Sequence, residues 1–283
     1  MITQAQQRQV LERAYVPEHI VSLMALLSGG EPFLVEDFLC LARDDWLILV
    51  GYPLERPFST ESLARVHERA VKRFRPAFSW LIAPEIPPSL SEKCVQRERD
   101  AYYVLDLDES ATSPRLLGIA KRASAQLCVG RSQRMSGEHA ELIEAFLARE
   151  TPAPRVGQLF LSMPQYVGES PSTVVLEARD RQGGLSAFYV VELAASSFAV
   201  YLVGCRSKKN AVAYASDLLF LEMIKLAREH GKRSINLGLG VNEGIRRFKE
   251  KWGGRPSLKY EFCEHVSKTR RALGLLGSLG PRY

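Results

Sequence analysis

The apolar positions of the first hundred residues change period several times. "PFLVEDFLCLA" and "WLILVGYPL" are apolar runs on either side of Arg43-Asp44-Asp45, the pattern of a β-hairpin. Ser59 is a residue that caps helices. After it Leu63, Val66, Ala70, Val71 and Phe74 recur at helical spacing, and Pro76 stops the pattern. "AFSWLIAP" and "AYYVLDLDES" read as strands, the second ended by an acidic turn.

The pattern then restarts. "SPRLLGIAKRASAQ" predicts a helix and "LCVGRSQ" a strand. Ser136 opens a helix with Leu142, Ile143, Phe146 and Leu147 on one face, and a proline-rich loop with Pro152, Pro154 and Pro164 follows. "STVVLEARD", "LSAFYVVELA" and "FAVYLVGCRS" predict three strands joined by hairpin-like turns. Asp217 to His230 reads as an apolar helix ending at Gly231, "SINLGLG" as a strand, "NEGIRRFKEKW" as a short helix and "SLKYEFCEHV" as a last strand. Each half thus carries a helix, antiparallel strands, a helix and a further strand. The expected fold is α/β (α+β), with mixed, mostly antiparallel sheets flanked by helices. Two related domains, 1–113 and 114–283, are the expected organisation, with one large mixed domain as the alternative.

Composition narrows the class. An apolar fraction of 46% in 283 residues is ample for a packed core. No apolar run approaches the length of a membrane span, and "MITQAQQRQVLERAY" lacks the apolar centre of a secretory signal. The five cysteines are scattered without a CxxC, which argues against a disulfide framework and against zinc. A reducing cytoplasm is the expected location. The five histidines are dispersed and no HExxH occurs, so no metal and no tightly bound cofactor is expected. The net charge of +6 suits a polyanionic partner such as RNA, a phosphorylated cofactor or an anionic membrane surface, with plain solubility as the alternative.

The stretch "INLGLGVNEGIRRFKEKWGG" concentrates glycine and positive charge behind a strand. Its glycines, Gly238, Gly240 and Gly244, are spaced G-x-G-x-x-x-G, and too little chain follows for a dinucleotide fold. No Gly-Lys-Ser/Thr occurs, which excludes a P-loop. Asn242 can cap the helix, and Glu243 suits its first turn. Ile245, Phe248 and Trp252 are expected to face the core, leaving Arg246, Arg247, Lys249 and Lys251 on the remaining surface. The unpaired N–H groups of such a helix start, near Gly240, Asn242 and Arg246, suit an anion or an acyl-transfer oxyanion. The same residues also fit a β–α turn before a solvated basic helix.

"NEGIRRFKEKWGG" resembles the C-terminal signature of the FemAB-like branch of the GNAT acyltransferases, through Asn242, Gly244, Phe248, Lys249, Trp252 and Gly253. "YASDLLFLEMIKLAREHGKRSINLG" is similar to that family's long helix, terminal glycine and strand, and "SPRLLGIAKRASAQLCVGRS" to its earlier helix and strand, with Arg122-Ala123 at the matching place. The resemblance covers about residues 115–264. It implies tandem GNAT-like domains, the first a diverged copy, in a branch that includes peptidoglycan aminoacyltransferases, leucyl/phenylalanyl-type transferases and the C-terminal part of phosphatidylglycerol lysyltransferases. The implied activity moves an acyl or aminoacyl group from an activated, anionic donor (aminoacyl-tRNA or acyl-CoA) to an amine or hydroxyl.

The resemblance places the family's functional lysine at Lys249, beside Phe248. Glu192, late in a central strand, is a second catalytic candidate able to polarise a nucleophile; a hairpin-end carboxylate is the commoner use of such a residue. The glycine-containing phosphate loop of acetyl-CoA enzymes is replaced by "CRSKKNAVAYASD", where Lys208, Lys209 and Asn210 can still bind phosphate. Cys205 reads as small buried filler, and His139 and His230 as exposed helix positions. The coiled-coil arm of some peptidoglycan-directed members is absent. A diverged, non-catalytic module that binds RNA or an anionic surface is the alternative, and peripheral contact with an anionic membrane fits either reading.

Overall fold

The structure, a computed structural model, describes residues 1–108 and 112–266. Two compact units divide the chain.

The first unit takes Met1–Tyr102, Leu239–Val241 and the chain from 256 to 266. It opens with α1 (Gln4–Arg13), started by a reciprocal cap. The Thr3 hydroxyl accepts from the Gln6 N–H, and the Gln6 side chain accepts from the Thr3 N–H. A 3-10 turn (Pro17–His19) leads to α2 (Val21–Ser28), which ends on Gly29 in the left-handed region. The run "PFLVEDFLCLA" is two strands, β1 (Glu31–Val35) and β2 (Phe38–Arg43), hinged at Glu36 with φ 56°. β2 and β3 (Trp46–Val50) form the expected hairpin. α3 (Thr60–Phe74) starts on the Ser59 hydroxyl, which accepts from the Ser62 N–H at 3.1 Å. β4 (Phe78–Ala83), the short α4 (Pro88–Ser91) and β5 (Cys94–Asp106) follow, with 94–102 of β5 in this unit. The order is β1-β2-β3-β4, then the chain's last strand (Arg255–Val266), then β5. Cys40, Leu47, Leu49 and Leu81 pack with Leu63, Val66 and Ala70 of α3, while Leu39, Leu41, Ile48 and Val50 pack with Val10, Val21 and Met24 on the other face. Burial of both faces explains why β2 and β3 read as continuous apolar runs instead of alternating ones.

A disulfide joins Cys94 of β5 to Cys263 of the last strand, with Cα atoms 5.4 Å apart. This corrects the expectation that the cysteines form no bridge. The pair is separated by 169 residues, and sheet order alone brings the two together, so no local spacing could reveal it.

His19 is fully buried. Its Nε2–H donates to the Tyr52 carbonyl at 2.9 Å, and its Nδ1 faces the Tyr15 N–H at 3.4 Å. Burial disfavours the charged ring and lowers its pKa to about 4, against a smaller opposing effect of the carbonyl bond. The folded state therefore binds fewer protons than the unfolded state between about pH 4 and the ordinary histidine value near 6.5. Stability is expected to be full above about pH 6.5 and to fall as pH drops towards 4. Urea denaturation at pH 7 and pH 5 on the parent and on His19→Gln checks this: the parent should lose more stability than the variant on acidification.

The second unit takes Tyr103–Gly238 and Asn242–Arg255. Its elements are α5 (Pro114–Ser124), β6 (Leu127–Ser132), α6 (Gly137–Glu150), α7 (Pro154–Glu169), β7 (Thr173–Asp180), β8 (Leu185–Glu192), β9 (Phe198–Arg206), α8 (Ala215–Glu229), β10 (Ser234–Leu239) and α9 (Glu243–Lys251). The last strand of the chain is β11. Strand order is β10-β9-β8-β7-β6, antiparallel except for β9 with β10. Leu116, Ile119 and Ala123 of α5 and Leu219, Met223 and Ala227 of α8 pack with Ala187, Tyr189, Val191, Ala199, Ile235 and Leu237 of the sheet. α6 and α7 also pack on the sheet, against β9 and β7.

Two expectations are corrected in this unit. The supposed proline-rich loop is largely α7. Pro154 lies in the first turn, where a missing N–H costs nothing, and Pro164 is carried inside the helix. Buried Phe160, Met163, Tyr166 and Val167 anchor that helix. His139 is buried, not exposed: its ring lies against Phe188, its Nδ1 accepts from the Ser136 N–H at 3.0 Å, and its Nε2 stands 3.2 Å from Glu177. Among the described residues no helix is long and apolar enough to cross a membrane.

Candidate functional site

The parallel pairing of β9 and β10 covers three residues, Ser234↔Phe198, Ile235↔Ala199 and Asn236↔Val200. Beyond it β9 runs on to Arg206 and β10 bends at Gly238, whose φ of 74° is accessible to glycine at little cost. The two strands part there. Main-chain groups at such a parting face whatever enters it, because neither strand completes the other's ladder.

α9 stands directly after this bend. The Asn242 side chain caps it, its Oδ1 accepting from the Ile245 N–H at 2.9 Å. Glu243 pairs with Arg247 one turn on. Phe248 is half-buried and Trp252 buried, and Phe220 of α8 meets both rings, at 5.6 and 4.9 Å between centroids. Asp217 of α8 accepts from Trp252 Nε1 at 3.0 Å and pairs with Lys251. At the C-terminal end a Cβ on Gly254 would stand 2.7 Å from Leu237 Cδ1 and 3.0 Å from the Lys249 carbonyl oxygen, so only glycine permits this approach.

This anchoring decides the fate of the predicted helix face. Ile245, expected in the core, is 37% exposed because the first turn projects past the packed residues. Lys249, expected on the surface, is only 5% exposed. Its Nζ lies 5.6 Å from the Tyr103 ring centroid, over the face. A Cβ on Gly238 would stand 3.9 Å from that Nζ. The lysine's charge is thus held inside the unit, next to the bend where the strands part.

The remaining predicted residues are distributed as follows. Gly240 is buried in the turn before α9, and Arg246 is exposed on α9. Lys208 and Lys209 are exposed in the loop after β9, where the Asn210 N–H donates to Ser207 Oγ at 2.8 Å. A hollow of about 100 Å³ lies there, lined by Ser186, Arg206, Ser207, Lys208, Ala211 and Val212; no α9 residue lines it. Ser186 is buried and its hydroxyl has no hydrogen-bond partner. α8 begins just beyond, and its N-cap Tyr214 makes no side-chain cap bond. Glu192 is buried at the end of β8. Its carboxylate accepts from Tyr166 Oη at 2.6 Å, Ser170 Oγ at 3.2 Å and the Leu193 and Ala194 N–H groups at 2.8 and 2.7 Å. Those four donors tie α7 to the turn after β8. Burial pushes the Cys205 thiol up to about 12, so it stays protonated at neutral pH, as inert filler should. Among the described residues no three His, Cys, Asp or Glu side chains are grouped to hold a metal ion.

Sequence reasoning missed Tyr103, which lies under Lys249, and Ser186 in the hollow. It also missed Asn236, a buried amide at the parting of the strands. Asn236, between Ile235 and Leu237, and Ser186, between Leu185 and Ala187, each carried a signal as a polar residue in a mostly apolar strand; Tyr103 carried none.

No family model matches the chain, and no curated protein matches it in sequence. Solved structures do match in fold. L-PGS from Bacillus licheniformis aligns with a TM-score of 0.58 at 15% identity, over 96% of each chain. FemX aligns with a TM-score of 0.62 at 13% identity, over 97% of this chain and 99% of that one. A tandem GNAT protein from the clavulanic acid biosynthesis pathway aligns with a TM-score of 0.53 at 12% identity, over 92% and 94%. The chain therefore has the GNAT-like fold, in the form shared by FemX, L-PGS and tandem GNAT proteins, as the signature around Lys249 implied.

Proposed function

We propose that the protein transfers an acyl or aminoacyl group from an activated, phosphate-bearing donor, an aminoacyl-tRNA or an acyl-CoA, to an amine or hydroxyl. The observation that carries this reading is a buried lysine, Lys249, beside two parallel strands whose pairing ends at Asn236. The acceptor nitrogen or oxygen attacks the donor carbonyl. A new C–N or C–O bond forms, the ester or thioester bond breaks, and the leaving oxygen or sulfur takes up the proton that the acceptor gives up. Lys249 stabilises negative charge as it develops on the reacting oxygens, where a preorganised cation in a site screened from water is most effective. No thiol nucleophile is needed, and Cys205 is not one.

The loop after β9 suits the donor's phosphates, because Arg206, Lys208 and Lys209 follow one another in or beside the Ser186 hollow. Replacing both Lys208 and Lys209 by alanine is expected to raise the donor Kd about tenfold at low salt. The difference should shrink in 0.5 M salt, where screening cuts the interaction to a range of about 4 Å. Fluorescence titration at the two salt concentrations checks it.

Two assays test the activity: thiol release from a panel of short acyl-CoAs, and transfer of radiolabel from lysyl-, alanyl- and leucyl-tRNA to amine and lipid-hydroxyl acceptors. Turnover in one series identifies the donor. Tight binding of tRNA with no turnover in either series would replace this reading with that of a non-catalytic RNA-binding module.

A further inference from the structure

Asn236 is the last residue of β10 in register with β9, opposite Val200. Val200 in turn stands opposite Glu192 of β8, so Glu192, Val200 and Asn236 form one row across three strands. Glu192 meets Tyr166 and Ser170 on its side of the sheet. Ile235 and Leu237, the chain neighbours of Asn236, belong to the core under α5 and α8. Asn236 therefore points to the α7 side, and it does so where the ladder between β9 and β10 ends.

Its amide is oriented by a bond of known polarity. The Gly238 N–H donates to Asn236 Oδ1 at 2.8 Å. An N–H cannot face an NH₂ group, so the oxygen must sit at that end and the nitrogen at the other. The nitrogen is buried, makes no hydrogen bond, and belongs to a residue only 2% exposed. A buried donor left unmatched forfeits its hydration, and native proteins rarely tolerate this without a use for the group. The bend at Gly238 does not require an amide, since any side-chain oxygen of similar reach would accept its N–H. What asparagine adds over aspartate is the donor.

We propose that Asn236 Nδ2 donates a hydrogen bond to the carbonyl oxygen of the transferred acyl or aminoacyl group, at the point where β9 and β10 part. This rests on the transferase reading above and deepens it. The matching ligand chemistry is a neutral carbonyl oxygen that gains negative charge as the carbon is attacked. A fixed N–H aimed at that oxygen favours the attacked state over the ground state.

Two measurements test the assignment. The first is ¹⁵N NMR of the unsubstituted protein, with the Asn236 side-chain amide identified by its absence in Asn236→Ala. Two probes are titrated: puromycin, an aminoacyl nucleoside whose amide stands in for the aminoacyl ester, and acetyl-CoA. One of them should move the Asn236 NH₂ resonances downfield at saturation. The second is the rate of Asn236→Asp, which keeps an oxygen for the Gly238 N–H and removes the donor. With the donor substrate found above, kcat is expected to fall about 100-fold with KM within about threefold, the pattern of an interaction made in the transition state. If a probe shifts backbone amides near the start of α8 but leaves the Asn236 amide unmoved, this inference is overturned while the transferase reading stands. Transfer by Asn236→Asp within threefold of the parent overturns it as well. If neither probe perturbs any resonance at millimolar concentration, the donor reading fails and this inference falls with it.

Discussion

The Lys249→Ala protein is expected to lose at least about 100-fold in transfer rate, and it will also be less stable. Removal of one preorganised charge aimed at a developing oxyanion typically costs on the order of 10²-fold or more. Helical spacing put Lys249 on the surface, where truncation would be nearly neutral for folding. At 5% exposure its whole side chain, stem included, is enclosed, with Nζ over the Tyr103 ring and near Gly238. Truncating a buried long side chain to alanine leaves a cavity, and a loss of about 2 kcal/mol is expected. Lys249→Met separates the two effects, since it keeps the stem and removes the charge. The methionine protein should melt within a few degrees of the parent yet match the alanine protein in lost activity. The informative experiment is a melting curve and a transfer rate on the same preparations. Transfer by Lys249→Met within about threefold of the parent would make Lys249 a packing residue with a charge of no consequence for the chemistry.

Reduction of the Cys94–Cys263 bridge is expected to give the largest loss of stability available from a single bond in this chain. The crosslink closes 169 residues of chain, and the loop-entropy treatment sets a ceiling of about 5 kcal/mol for a loop of that size. Measured values are usually smaller, about 2–4 kcal/mol, because the reduced unfolded chain is itself compact. Both ends lie in buried or half-buried strand positions, and Cys263 is fully buried in the α3-side core. The reduced protein should therefore keep its fold and unfold at a lower temperature. Comparing the midpoint of the oxidised protein with that of Cys94→Ser/Cys263→Ser decides it. Equal midpoints, together with five free thiols in the untreated protein after denaturation instead of the three of Cys40, Cys128 and Cys205, would show that the bridge does not form.

Much of the element pattern was legible because it is local. The β2–β3 hairpin, the Ser59 start of α3, the Gly231 end of α8 and the Asn242 cap of α9 each depend on residues a few positions apart. The stretch from Asn242 to Gly253 pointed to the GNAT-like fold through its resemblance to a family signature, while the contact of both the Phe248 and Trp252 rings with Phe220 of α8 came from the tertiary structure. α7 was misread because proline was given its average meaning. Its first-turn place, and the apolar face that offsets Pro164, depend on packing.

The candidate site was legible as a region but not as a geometry. A helical wheel orders the residues of α9 around an axis, but it does not say how far along that axis the core extends. Contact with Phe220 and Asp217 places the core at the C-terminal end, which exposes Ile245 and buries Lys249. Tyr103 precedes Lys249 by 146 positions (249 − 103), and Cys94 and Cys263 are 169 apart. Glu192 read in the sequence as a carboxylate able to polarise a nucleophile or as one at a hairpin end; its partners Tyr166 and Ser170, brought in by α7, were not legible there. The sequence by itself determined the order of the elements and the sites of their caps, because these are short-range hydrogen bonds and periodicities. Only the tertiary structure decided which polar groups are buried, which are matched and where two strands separate, because those depend on partners that meet across the sheet.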